Sequence, residues 1–105
     1  MSRRREQIAS VLQREIGRIL VEGLADPRAK GMISVTRVEV SADRREAVVN
    51  VSIMPEKHQH TTLQAVCHAR QHIQNRLAER VRARQMPRLQ FKLDESLKKQ
   101  ARVIE

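Results

Sequence analysis

LQAVCHARQHIQNRL, residues 63–77, decides how this chain folds. Leu63, Val66 and Cys67 mark one apolar stripe at helical spacing; Ile73 and Leu77, continued by Val81, mark another. At about 100° per residue, Arg70 falls in the middle of the same stripe, so a straight helix would point a guanidinium into the core. Either Arg70 snorkels past its neighbours or the helix bends at Ala69-Arg70-Gln71 and turns Arg70 outward. The bend is the preferred reading.

Downstream of the break, His72, Asn75, Arg76, Glu79, Arg80 and Arg82 occupy the faces away from the stripe. Pro87 ends the helical region, because it has no N–H to donate and biases the residue before it toward extended backbone. Leu89, Phe91 and Leu93 then alternate with Arg88, Gln90 and Lys92, which predicts a strand with one buried and one basic face. Ser96 is placed to cap a short final turn through Leu97, Ala101 and Ile104, so residues 96–105 read as a turn or tail.

Upstream, PEKHQHTT is a polar connector in which Thr61 or Thr62 fits the N-cap of the kinked helix. EAVVNVSIM, residues 46–54, alternates cleanly at Ala47, Val49, Val51 and Ile53. ISVTRVEVS, residues 33–41, slips instead: Ile33 and Val35 share one face, Val38 and Val40 the other. A bulge near Thr36 or a strand covered on both sides would account for it. The intervening SADRR is a turn, so the two runs pair as an antiparallel hairpin. Ile8, Val11, Leu12, Ile16, Ile19, Leu20 and Leu24 predict a first helix over residues 4–23, ended by Gly23 and Asp26-Pro27. The resulting order is α-β-β-α-(break)-α-β, an α+β chain with a three-stranded sheet and helices on one face.

At 105 residues the chain has the length of one small domain, expected over 1–105 with residues 1–5 as a basic, flexible arm. It carries 21 basic and 12 acidic residues, a net charge of +9. Residues 1–67 hold 11 basic and 8 acidic side chains, a net +3, whereas residues 68–105 hold 10 and 4, a net +6. Between His68 and Lys92 seven basic residues stand against Glu79 alone. Such clustering points to a polyanionic partner, most often nucleic acid. With Phe91 the sole aromatic, stacking of splayed bases on aromatic platforms is disfavoured, so recognition by shape and backbone is expected. The lone Cys67 implies no oxidising compartment, and no run approaches the length of a membrane span. A cytoplasmic monomer away from any membrane is expected.

Catalytic patterns are thin. Asp94-Glu95 is an adjacent pair whose side chains project apart on extended backbone, which suits capping or solvation better than acid–base work. His68 and His72, with His58, His60 and Cys67, raise a zinc site, but Cys67 lies on the apolar stripe and the other pair in a connector. The histidines therefore read as solvated or phosphate-facing, with no metal. Gly17, Gly23 and Gly31 form no phosphate-cradling motif. No enzyme activity and no cofactor are expected. A protein–protein adaptor whose basic face meets an acidic surface is the alternative.

Three stretches together carry a resemblance over almost the whole chain. They are Leu24-Ala25-Asp26-Pro27-Arg28 closing the first helix, Gly31-Met32 leading to Val35-Thr36-x-Val38-x-Val40-Ser41-x-Asp43, and Arg84-x-x-Pro87-x-Leu89-x-Phe91-x-x-Asp94-x-Ser96. In this order they resemble the ribosome-binding factor A family, bacterial factors of small-subunit assembly. The resemblance implies a type II KH-like fold whose usual G-x-x-G loop is replaced by an interhelical kink with an Ala-x-Gly pattern. Ala69-Arg70-Gln71 occupy the kink here, with glutamine standing where the pattern has glycine. It further implies a non-catalytic protein that binds the immature 30S subunit and its 16S rRNA. Support for late rRNA maturation and processing, especially in the cold, and release by an assembly GTPase are implied as well. Arg70, Arg76, Arg80, Arg82, Arg84, Arg88 and Lys92 are the expected RNA contacts, joined by Arg3, Arg4 and Arg5 as an electrostatic arm.

Overall fold

The computed structural model describes residues 3–82 and 85–96. The elements are α1 (Arg3–Glu22), β1 (Met32–Val40), β2 (Glu46–Met54), α2 (Gln59–His68), α3 (Arg70–Arg80) and β3 (Arg88–Leu93), with a 3-10 turn at Glu56–His58 before α2. The sheet order is β1-β2-β3, with β1 antiparallel and β3 parallel to β2. A parallel neighbour requires a crossover, and α2 with α3 supplies it.

The slipped alternation in β1 is a bulge. Val35 lies opposite Val51 and Arg37 opposite Asn50, which leaves Thr36 as the extra residue. The shift lets Ile33, Val35, Val38 and Val40 all face the helices, opposite Ile53, Val51, Val49 and Ala47. Thr36 is also tied across the sheet: its hydroxyl donates to Asp94 Oδ2 at 2.5 Å, and Asp94 Oδ1 accepts the Ser96 N–H at 2.9 Å. The Thr36 hydroxyl and the Ser96 N–H lower the Asp94 pKa to about 2. Asp94 therefore braces the end of β3 against the bulge, which suits the capping role read from its sequence position.

Aliphatic side chains fill the core: Leu12, Ile16, Ile19 and Leu20 of α1, the inward residues of β1 and β2, then Val66, Ile73, Leu77 and Leu89. Phe91 is half-buried against this cluster. Each fully buried Leu, Ile or Val contributes about 1.5–3 kcal/mol relative to exposure, so a core without large aromatics is adequate for a chain of this size.

The helical region does break, at Ala69. Its φ of −85° and ψ of 7° lie in the sparsely allowed bridge region open to any L-residue, and its N–H is shared between Ala65 O (3.0 Å) and Val66 O (3.1 Å). Gln71 lies inside α3, where its amide donates to Asn75 Oδ1 at 3.0 Å. The kink thus needs no left-handed backbone at position 71. Arg70 is half-buried at the start of α3, while Ile73 and Leu77 keep the core-facing stripe.

Two expectations near the break are corrected. Cys67 is exposed instead of lying on the stripe, because the buried face of α2 is Thr62, Ala65 and Val66. Neither Thr61 nor Thr62 caps the helix, which begins at Gln59 off the 3-10 turn with no side-chain cap. Thr62 is fully buried; its hydroxyl contacts Lys30 O at 2.8 Å and Arg28 O at 3.2 Å and accepts the Lys30 N–H at 3.1 Å. It fastens the α1–β1 loop to α2. That loop also requires Gly31, whose φ is +83° and where a Cβ would run into the Met54 carbonyl.

Arg3, Arg4 and Arg5, placed by sequence alone in a basic arm, lie in the first turn of α1. Arg84 and the final turn through Leu97, Ala101 and Ile104 lie outside the described residues.

Candidate nucleic-acid interface

The basic side chains singled out in the sequence are spread over four places. The first is a groove of about 820 Å³ between the N-terminal half of α1, the β1–β2 turn and the exit from α3. Its apolar floor includes Ile8, Val11, Val81, Met86 and Pro87, and Arg4, Arg44 and Arg82 stand around it.

Local chemistry shapes each wall. In the turn, the Arg44 N–H donates to Ser41 O at 2.9 Å, and Ser41 N–H donates to Glu46 O at 2.9 Å. Asp43 Oδ1 accepts from the Ser41 hydroxyl at 2.7 Å and from the Arg45 N–H at 3.0 Å. These contacts lower the Asp43 pKa and commit its carboxylate to its own turn. They also hold Arg44 at a φ of +61°, a left-handed conformation uncommon outside glycine, Asn and Asp. On the opposite wall α3 stops because Val81 turns extended, with φ −118° and ψ 117°, which delivers Arg82 to the groove. Gln74 then fixes the entry to β3: its Nε2 donates to Pro87 O at 2.5 Å and its Oε1 accepts the Leu89 N–H at 3.2 Å.

The second place is the seam between α1 and α3. Arg76 Nη2 lies 3.1 Å from Glu22 Oε1, and Arg80 Nη2 donates to Glu22 Oε2 while its Nη1 lies 3.9 Å from Glu15 Oε1. Glu15 is only 9% exposed and also meets Arg14 (3.2 Å) and Arg18 (3.3 Å). The hydrogen bond from Arg80 leads the lowering of the Glu22 pKa, with charge from Arg80 and Arg76 adding to it.

Arg88 and Lys92 occupy the third place, the sheet face opposite the helices, since Leu89, Phe91 and Leu93 of the same strand face the core. Arg37 and Glu39 share that face and pair at 3.5 Å, and Gln90 donates to Glu46 at 3.1 Å. Arg70 stands apart at the kink, the fourth place.

The structure thus joins Arg4 with Arg82 and Arg76 with Arg80, and separates both pairs from Arg88 and Lys92. Sequence reasoning missed Arg44, hidden in a turn where no periodicity assigns a side. It also missed Glu15 and Glu22, seven residues apart and hence on one face of α1, a spacing that could have flagged them as partners for a cationic helix. Among the described residues, no three His, Cys, Asp or Glu side chains are placed to share a metal ion, and no helix is long and apolar enough to cross a membrane.

A kinked α-α crossover on a three-stranded mixed sheet, with arginine-lined surfaces on both sides of its helices, defines a KH-like RNA-binding domain. The family model for ribosome-binding factor A matches residues 4–105, and the chain belongs to that family. Ribosome-binding factor A of Prochlorococcus marinus (strain NATL1A) is 38% identical over 106 residues, spanning 99% of this chain and 86% of that protein. The protein of the same name from Neisseria meningitidis serogroup C (strain 053442) is 36% identical over 96 residues, spanning 91% and 77%. The crystal structure of ribosome-binding factor A from Thermus thermophilus superposes with a TM-score of 0.76 at 28% identity, covering 87% of this chain and 96% of that one. Coordinates of the Thermus thermophilus factor fitted into a cryo-EM map of a 30S complex superpose with a TM-score of 0.70 at 30% identity, covering 83% and 91%.

Proposed function

We infer that this protein is an assembly factor of the small ribosomal subunit. It binds the 30S particle through the phosphate backbone of its 16S rRNA and supports late maturation of that RNA. The observation that carries the reading is the likeness to the Thermus factor placed on a 30S subunit, at a TM-score of 0.70 and 30% identity. The net charge of +9 and the groove arginines supply the means of attachment.

The protein acts in the cytoplasm as a monomeric single domain, by binding and without catalysis, and leaves when an assembly GTPase displaces it. Its RNA contacts are drawn from Arg3, Arg4, Arg5, Arg70, Arg76, Arg80, Arg82, Arg84, Arg88 and Lys92. Arg44 joins Arg4 and Arg82 on the groove, and the Ala69-Arg70-Gln71 kink presents Arg70.

Cosedimentation with immature and mature small subunits through a salt titration tests the reading. Preferential retention on immature particles is expected, with affinity falling about a thousandfold or more between 50 and 200 mM salt if roughly six phosphates are engaged. Equal retention on every RNA offered, or none on either particle, would overturn it.

A further inference from the structure

We propose that the groove between α1, the β1–β2 turn and the α3 exit receives one unpaired nucleotide of RNA, its base on the apolar floor and its phosphates on Arg4, Arg44 and Arg82. This deepens the RNA-binding reading above and rests on it.

Three features point to that occupant. The arginines come from three separate elements, and none of the ion pairs among the described residues engages them. Asp43, the carboxylate that lines the groove beside Arg44, already accepts from Ser41 and Arg45. Three guanidinium forks are therefore left to an incoming anion, and a phosphodiester offers the oxygens that match them.

The floor is apolar where a purely electrostatic contact would need none. Val81, Met86 and Pro87 line it beside Ile8 and Val11, and its volume of about 820 Å³ lies within the roughly 300–1,000 Å³ of small-molecule sites. In a duplex the faces of the bases are buried in the stack, so only a base turned out of the helix can offer a face to this floor. A thioether such as that of Met86 packs favourably on an aromatic ring, which a nucleobase supplies and an acidic peptide need not.

The last described residues of the chain lie away from the groove. β3 begins beside Glu46 at the groove end of the sheet and runs parallel to β2 toward Val51, so the described chain ends about 20 Å away.

The test uses the full chain and three probes: a hexauridylate, the same oligomer with one central abasic site, and a self-complementary RNA duplex. Binding is read by fluorescence anisotropy, with polyglutamate as competitor. A 4-thiouridine version of the hexamer is photocrosslinked and the adduct mapped by mass spectrometry. The proposal expects a crosslink at Gln85, Met86 or Val81 and an affinity loss of about tenfold for the abasic oligomer. Arg44→Ala should lower the salt dependence by roughly one phosphate's worth. Equal affinity for the abasic oligomer, equal affinity for the duplex, full displacement by polyglutamate, or crosslinks confined to the open sheet face would each overturn it. Failure here with salt-sensitive retention on immature subunits intact would remove the groove alone. Loss of that retention with the abasic penalty preserved would instead remove the assembly reading and keep the groove.

Discussion

The α1–α3 seam and the groove each gather arginines, yet they hold their charge differently. In the seam Arg14, Arg18, Arg76 and Arg80 converge on two carboxylates, Glu15 and Glu22. In the groove Arg4, Arg44 and Arg82 share no ion pair among the described residues. Charge counted along a chain is therefore not the charge offered to a partner; acids contributed by another element decide how much remains. In the seam Arg76 and Arg80 tie α3 to the carboxylates of α1, whereas no ion pair among the described residues engages the groove arginines.

The largest expected effect follows from that contrast. Arg44→Glu with Arg82→Glu should weaken binding to immature small subunits by about a hundredfold at low salt, since each reversed charge costs on the order of 1–3 kcal/mol. Both side chains are exposed, so the fold should be unchanged by circular dichroism. Arg88→Glu with Lys92→Glu, candidate contacts on the far face of the sheet, should cost clearly less. Equal loss from both pairs would break the comparison by showing that total charge alone matters.

Next in size is the support under the groove. Gln74 holds the Pro87 carbonyl and the Leu89 N–H at the entry to β3, so Gln74→Leu leaves two backbone groups without their partner. A destabilisation of about 1–3 kcal/mol is expected from urea unfolding. Groove binding should fall with it while the Glu22 contacts of the seam persist; unchanged stability would mean water replaces the amide.

What the sequence discloses here is periodicity and its violations. The slip between Val35 and Val38 left a bulge or a doubly covered strand, and Arg70 inside an apolar stripe left a bend or a snorkelling side chain; the bulge is present at Thr36 and the break at Ala69. Contacts that follow no period stayed hidden. Thr62 has the chemistry of a cap, but its hydroxyl serves the backbone of a loop some thirty residues earlier in the chain. Cys67 is off the stripe because the inward face of α2 is Thr62, Ala65 and Val66, with a polar residue at its start. Arg76 and Arg80 were legible as basic, whereas their pairing with Glu22 joins residues 54 and 58 positions apart, which only the packing of α1 against α3 decides.

A smaller effect is expected at Gly17, which lines the shallow depression of the seam beside Arg14, Arg18 and Arg80. A Cβ there meets nothing within 4 Å, so Gly17→Ala should stabilise the protein by about 0.5–1 kcal/mol through helix propensity alone. If the seam is structural and no RNA approaches the α1 backbone, affinity for immature subunits will not change. A drop in affinity with the gain in stability would place RNA on the seam and narrow the difference between the two regions.

The finest test of the comparison is Glu22→Gln, which keeps the shape of the seam and removes one of its charges. Arg76 would lose its carboxylate and Arg80 one of its two, and affinity for immature subunits should rise by only about two- to threefold, because an exposed pair is largely screened by solvent. The same variant carries a pH signature. Arg80 and Arg76 lower the Glu22 pKa below its ordinary 4.5, so the clamp contributes to stability above that value and is lost as pH falls through the lowered one. Thermal unfolding of the two proteins should therefore differ at neutral pH and converge in acid. A gap independent of pH would trace the loss to packing, and the seam's arginines would then be as open to RNA as those of the groove.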